Sequence, residues 1–181
     1  YAGEPTDRFA PFELDLSEIV PEENVGTREA LMHYAGQVCQ RRLERTGSAQ
    51  DHDWSVLVEG HLVYLESYFR ARLALKGFDA LVWSNVSPSG GMSSSSALVV
   101  STACAALGVN DLAPYVDLPE ADWVDGVGTS EWIRGTRGGT ADHGGMIMGR
   151  SGKLVGVGVF PAAPVGEAIL PAEYVALVLD T

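Results

Sequence analysis

The sequence predicts an α+β fold from three observations. Two stretches of helical periodicity, 27–46 and 54–76, occupy the first half of the chain. A short run of β-forming residues, 78–86, then leads through a Gly/Ser loop into an apolar helix over 97–107. Further apolar, β-rich runs follow a glycine-rich stretch near the C-terminal end. Helices and strands arranged in blocks, without strict βα alternation, fit α+β. No internal repeat is visible.

Taken in order, residues 1–26 are acidic and contain proline, and FAPFELDLSEIV within them reads as a strand with an irregular lead-in. Thr27 can cap a helix that runs to about Arg45, with Leu31, Tyr34, Val38 and Cys39 on one side and Gly47 at its end. After a polar loop, 47–53, a second helix spans 54–76. Leu57, His61, Tyr64, Leu65, Tyr68, Phe69 and Leu73 recur at helical spacing in it, and Gly77 supplies its left-handed end. Gly60 inside this helix costs about 1 kcal/mol against alanine, which points to close helix packing there. The run 78–86 is a strand by length and composition. Residues 97–107 are apolar nearly all round and close on Gly108, as in a buried helix with a glycine cap. A loop to Asp117 precedes a helix over 118–134, which Gly126 and Gly128 weaken. Residues 135–149 are glycine-rich, and 153–160 and 174–179 read as strands.

Composition narrows the classes. The 181 residues are 46% apolar, enough for a sizeable core. A net charge of −12 offers no basic face to nucleic acid, although it leaves room for a nucleotide held by backbone dipoles and a metal. Cys39 and Cys104 have apolar neighbours and read as buried free thiols instead of a disulfide or metal pair. No run approaches the ~20 apolar residues of a membrane span, and no signal peptide is visible, so a cytoplasmic protein is expected. The chain starts at Tyr1 and stops inside the apolar YVALVLDT, which reads as a fragment of a longer protein.

The loop SPSGGMSSSS joins the 78–86 run to the 97–107 helix. Its glycines let backbone approach a ligand closely, and its serines can cap the first turn of a helix. The free N–H groups and positive dipole end of that helix favour an anion, and the hydroxyls can add donors for phosphate or a ligand for Mg²⁺. The same composition also suits a flexible linker. No Gly-Lys-Ser/Thr closes the loop, so it is not a Walker A motif.

The loop resembles the central motif of the GHMP kinases, the superfamily of galactokinase and of homoserine, mevalonate and phosphomevalonate kinases. Its galactokinase form is similar to Pro-x-Gly-Gly-Gly-Leu-Ser-Ser-Ser-Ala. Pro88, Gly90, Gly91, Ser94, Ser95, Ser96 and Ala97 match, while Met92 replaces the third glycine and Ser93 the leucine. A second segment, EWIRGTRGGTADHGGMIMGRSGKLV, resembles the galactokinase stretch in which a helical glutamate precedes a Gly-Ile-Met-Asp-Gln turn. Gly135 and Gly139-Thr140-Ala141-Asp142 fall in register with it, and His143 stands where glutamine is usual. The resemblance implies a kinase that uses MgATP, with Pro88, Gly90, Gly91 and Ser93, Ser94, Ser95 and Ser96 around the nucleotide. It implies Ser96 and Glu131 as magnesium ligands and Asp142 as the catalytic base. It implies a domain of the ribosomal-protein-S5 type, partial over 1–160, with a second domain begun over 161–181. The sugar-binding motif near the family's N-terminus and its C-terminal glycine-rich motif are absent from the chain, which looks like the middle of a galactokinase.

These residue types suit the chemistry. Phosphoryl transfer needs charge neutralisation, in-line positioning and a group that receives the acceptor's proton. Read singly, each has a plainer alternative. Asp142 beside a Gly-Gly pair suits a turn, Glu131 a solvated helix face, His143 a loop, and Arg134 and Arg137 the surface. The expected partner is a small-molecule sugar or related alcohol, with no nucleic acid and no membrane. The rivals are a sugar-acid, heptose or isoprenoid-alcohol kinase, and a catalytically silent sensor of ATP and sugar.

Overall fold

Local capping decides where the first helices start. Asp15 accepts the Ser17 backbone N–H at 2.9 Å and the Ser17 hydroxyl at 2.6 Å. That closes a short helix, α1 (Leu16–Ile19), where the sequence suggested a strand. The turn satisfies polar groups locally, and an extended segment would have needed a ladder partner. Thr27 caps α2 (Arg28–Thr46) by accepting the Ala30 N–H, and Gly47 ends it at φ 77°, as the sequence reading expects. The computed structural model describes residues 9–87, 91–113, 116–159 and 161–174.

α3 (Ser55–Phe69) is the axis of the molecule. It is buried on nearly every side, well beyond the single stripe its periodicity marks. It ends seven residues earlier than expected, so Gly77 is not its cap. The residues beyond it are good helix formers, but tertiary bonds claim them. Arg70 donates to the Pro21 and Glu22 carbonyls, Glu66 accepts the Leu75 N–H, and the Asn110 side chain accepts the Lys76 N–H. Intrinsic propensity is a weak prior against such contacts.

The run 78–86 forms no strand. Leu81 is 96% exposed and Trp83 77% exposed. A strand exists by pairing, and among the described residues the only ladder lies elsewhere. The helix after the loop, α4 (Ser94–Val109), starts three residues before the expected 97 and runs past Gly108 to an Asn110 cap. It buries one face, Ser96, Val99, Thr102, Ala103, Ala106 and Leu107, and leaves Cys104 exposed. Cys39 is half-buried, so neither cysteine is the fully buried thiol expected, although both are free.

α5 (Glu120–Ser130) passes into a 3-10 turn, Glu131–Arg134. Gly126 and Gly128 do not break it. A Cβ on Gly126 would collide with the phenol end of Tyr64, and one on Gly128 would collide with the Thr140 methyl. The expectation drawn from Gly60 also holds, because a Cβ there would collide with the Ser130 carbonyl oxygen. The core formed by α2, α3, α4 and α5 includes Leu31, Leu57, Val63, Leu65, Phe69, Val99, Ala103, Val127 and Ile133.

The glycine-rich stretch contains a helix, α6 (Ala141–Met148). Its Gly144 lies against Val157, whose Cγ1 would be 2.5 Å from an added Cβ. β1 (Lys153–Gly158) pairs antiparallel with β2 (Ala163–Ile169), with an irregularity between Gly156 and Val157. β1 matches the expected strand. β2 is missed by sequence reading because Pro164 and Gly166 demote it. The hairpin seats Val155 and Val157 against a small second core of Val124, Met148 and Ala162. The strand expected over 174–179 falls, from residue 175 on, outside the described residues, and Tyr174 is in no strand. Helices beside an antiparallel pair make the α+β class.

Candidate active site

The start of α4 carries an unusual turn. Gly91 and Ser93 both hold positive φ, 68° and 54°. Serine in that region costs of order 1–3 kcal/mol and is kept only where surroundings impose it. Among the described residues no side chain caps α4. The sequence suggested serines for that role, but Ser94, Ser95 and Ser96 instead occupy the helical first turn. Its N–H groups have no partner within the helix, and the positive dipole end stays available to an anion.

Ser96 is buried, and its hydroxyl donates to Glu131 Oε2 at 3.2 Å. Glu131 opens the 3-10 turn, with its side chain 14% exposed. His143 Nε2, on α6, lies 3.1 Å from the same carboxylate oxygen. Burial alone would raise the Glu131 pKa. Hydrogen-bonding and charge from His143, together with donors Ser95 and Ser96, outweigh it and hold the carboxyl below the ordinary glutamate range. The carboxylate is therefore built to stay ionised inside the fold. That corrects the solvated-face reading of Glu131, and the loop reading of His143, which is 2% exposed on a helix.

Asp142 stands exposed in the first turn of α6, not in an open turn as the glycine-flanked sequence suggests. The N-terminus of α6 is fixed from below. Thr140 Oγ1 donates to Asp125 at 3.0 Å, and the other oxygen of this buried carboxylate accepts the Ala162 N–H at 2.9 Å. Asp125 was not singled out from the sequence; its one legible signal is a charge inside the run WVDGVG, on a helix otherwise destined for the core.

These elements border an open cleft of ≈ 160 Å³. Ser95, Ser96, Glu131 and Asp142 line it together, with Gly128, Trp132, Thr136, Gly138 and Gly139 completing the wall. Residues 46 positions apart in the chain thus share one cavity. Trp132 is a wall residue that sequence reasoning missed; its indole N–H donates to the Gly138 carbonyl at 2.9 Å and so fixes the loop beside Asp142. Gly91, Ser93 and Ser94 are not in the lining of the cleft. Pro88 and Gly90 fall outside the described residues. Arg134 donates to the Asp51 carbonyl, and Arg137 sits over the Trp132 ring at 5.8 Å. Neither lines the cleft.

A family model described as the GHMP kinases N terminal domain matches residues 57–150. The chain belongs to the GHMP kinases. The matched span runs from α3 through α6 and contains every residue lining the cleft. No curated protein and no solved structure matches the chain. A kinase of this family is a phosphotransferase acting on a small molecule with ATP, typically with Mg²⁺. The donor set fits magnesium: a serine hydroxyl and an ionised carboxylate, all oxygen. Among the described residues no group of three or more His, Cys, Asp or Glu side chains is arranged to hold a metal ion. No helix among those residues is long and apolar enough to cross a membrane.

Proposed function

We propose that this GHMP kinase transfers the γ-phosphoryl group of MgATP to a hydroxyl of a sugar, in the manner of a galactokinase. The observation that supports it is the shared cleft: an uncapped helix N-terminus, an ionised carboxylate with a serine partner, and an exposed aspartate line one cavity. The α4 first turn and the Ser95 and Ser96 hydroxyls bind the triphosphate oxygens. Ser96 and Glu131 would hold the magnesium ion, which when bound neutralises charge on the phosphates. Asp142 orients the acceptor hydroxyl and receives its proton. The acceptor oxygen bonds to the γ-phosphorus, the bond from that phosphorus to the bridging oxygen breaks, and ADP leaves with the electron pair. A ribosomal-protein-S5-type domain reaching to about residue 160, a second domain beginning beyond it, and a cytoplasmic setting complete the proposal.

The test is acceptor-dependent ADP release by the intact protein against a panel of sugars, sugar acids, heptoses and isoprenoid alcohols. Turnover with a sugar is expected. Turnover confined to another panel member would replace the acceptor class and keep the kinase. Tight binding of ATP and a sugar with no turnover would replace the enzyme with a sensor.

A further inference from the structure

His143 has no part in the transfer just described, yet it is buried against the cleft. Neither of its ring nitrogens makes a well-aligned hydrogen bond among the described residues, although both are buried. A buried polar group in that state costs about 1–3 kcal/mol. Gly128 has no side chain, and a Cβ there would lie 3.2 Å from His143 Nδ1. The other nitrogen, Nε2, comes within 3.1 Å of Glu131 Oε2. A carboxylate can only accept, so the nitrogen facing it must carry the hydrogen. The Ser96 hydroxyl reaches the same oxygen from the opposite element, α4. A hydroxyl donor from α4 and a ring nitrogen from α6 thus approach one oxygen of Glu131.

We infer that His143 is a positioning residue: its Nε2–H holds the Glu131 carboxylate in the orientation that, on the function proposed above, receives the divalent cation. Partners behind a metal ligand typically set its affinity within 10–100-fold. Two polar substitutions separate this role from simple space-filling. The amide nitrogen of glutamine reaches about as far as Nε2, and that of asparagine only as far as Nδ1.

The experiment is Mn²⁺ binding by electron paramagnetic resonance, in the intact protein with a non-hydrolysable ATP analogue, for wild type, His143→Gln, His143→Asn and Glu131→Gln. Thermal melting is recorded for each. Glu131→Gln should lose the Mn²⁺ site. His143→Gln should bind near the wild-type level, and His143→Asn about 10–100-fold more weakly. Wild-type affinity in His143→Asn, or equal weakness in both His143 variants, overturns the inference. If His143→Asn does not fold, His143→Gln decides alone: retained affinity supports the role, and a roughly tenfold or greater loss in the folded variant overturns it. Mn²⁺ binding untouched by Glu131→Gln would instead remove the metal reading itself, and this inference with it.

Discussion

Of the two carboxylates that line the cleft, Glu131 is 14% exposed and is gripped from α4 and α6, whereas Asp142 stands exposed with no side-chain hydrogen bond among the described residues. Glu131 follows a helix whose last eight residues are all buried, which anchors its backbone. Asp142 is the second residue of an eight-residue helix held at its start by Thr140 and Asp125. The backbone of each is anchored, but only one side chain is. A metal ligand gains from such fixation, since affinity falls when its orientation is left to chance. A proton acceptor must meet a hydroxyl that arrives with the substrate, and exposure serves that. The difference assigns separate tasks to two residues that composition alone would treat alike.

The sharpest way to break the comparison is Asp142→Asn. This variant keeps size and removes the charge. Loss of a general base typically lowers kcat by about 10²–10⁴-fold, and binding of MgATP to the intact protein should barely change. Ser96→Ala should do the reverse, raising the magnesium concentration needed for half-maximal turnover with a smaller effect on the saturated rate. Steady-state kinetics with magnesium as the varied component separate the two. Wild-type turnover by Asp142→Asn would end its role as base.

Much of this contrast could be read in the sequence, and the gaps have physical reasons. Thr27 and Gly47 bracket α2 because caps are local chemistry. The Gly/Ser loop and the segment around Asp142 are legible as motifs, since anion-binding turns need particular residue types. The early end of α3 was not legible, because it depends on Arg70 finding carbonyls 48 and 49 positions back in the chain. Nor was the failure of 78–86 to form a strand, since pairing is a property of two segments and composition describes one. α3 and α4 illustrate the same limit: α4 is the more uniformly apolar, yet α3 is the one surrounded on all sides. His143 looks like a loop residue until α6 is seen to turn it inward against Glu131, 12 positions earlier.

A second test acts on the backbone under Glu131. Gly60→Ala should improve intrinsic helix propensity by about 1 kcal/mol. The new methyl would nonetheless collide with the carbonyl of Ser130, the residue before Glu131. Overpacking of this kind costs typically about 1–3 kcal/mol, so a net loss of stability is expected, together with weaker Mn²⁺ binding from the displaced carboxylate. Gly108→Ala is the control. It lies within α4 with open space around its Cβ position, and should stabilise by about 0.5–1 kcal/mol. Chemical denaturation of both variants checks the opposite signs. Equal, stabilising shifts would mean that the α3–α5 contact yields easily and that Glu131 is less firmly seated than its surroundings suggest.

The smallest expected effect concerns acid. The folded Glu131 carboxyl is held below the value of 4.5 that it takes when unfolded, because the donors His143, Ser95 and Ser96 outweigh burial. A depressed carboxyl contributes stability that is fully present above the unfolded value and is lost as pH falls through the folded one. The window therefore lies at and below about pH 4.5, and neutral pH should show nothing. Asp15, Asp117 and Glu167 are lowered as well, but all three are at the surface, so the wild-type acid curve sums several carboxylates. Comparison with Glu131→Gln isolates the one that matters. Melting temperatures taken from about pH 6 to about pH 3 should fall more steeply in wild type than in the variant, because the variant has already lost the ionisation. Parallel curves for wild type and Glu131→Gln would show that the cleft does not favour the ionised glutamate, and the contrast between a gripped and an ungripped carboxylate would lose its electrostatic half.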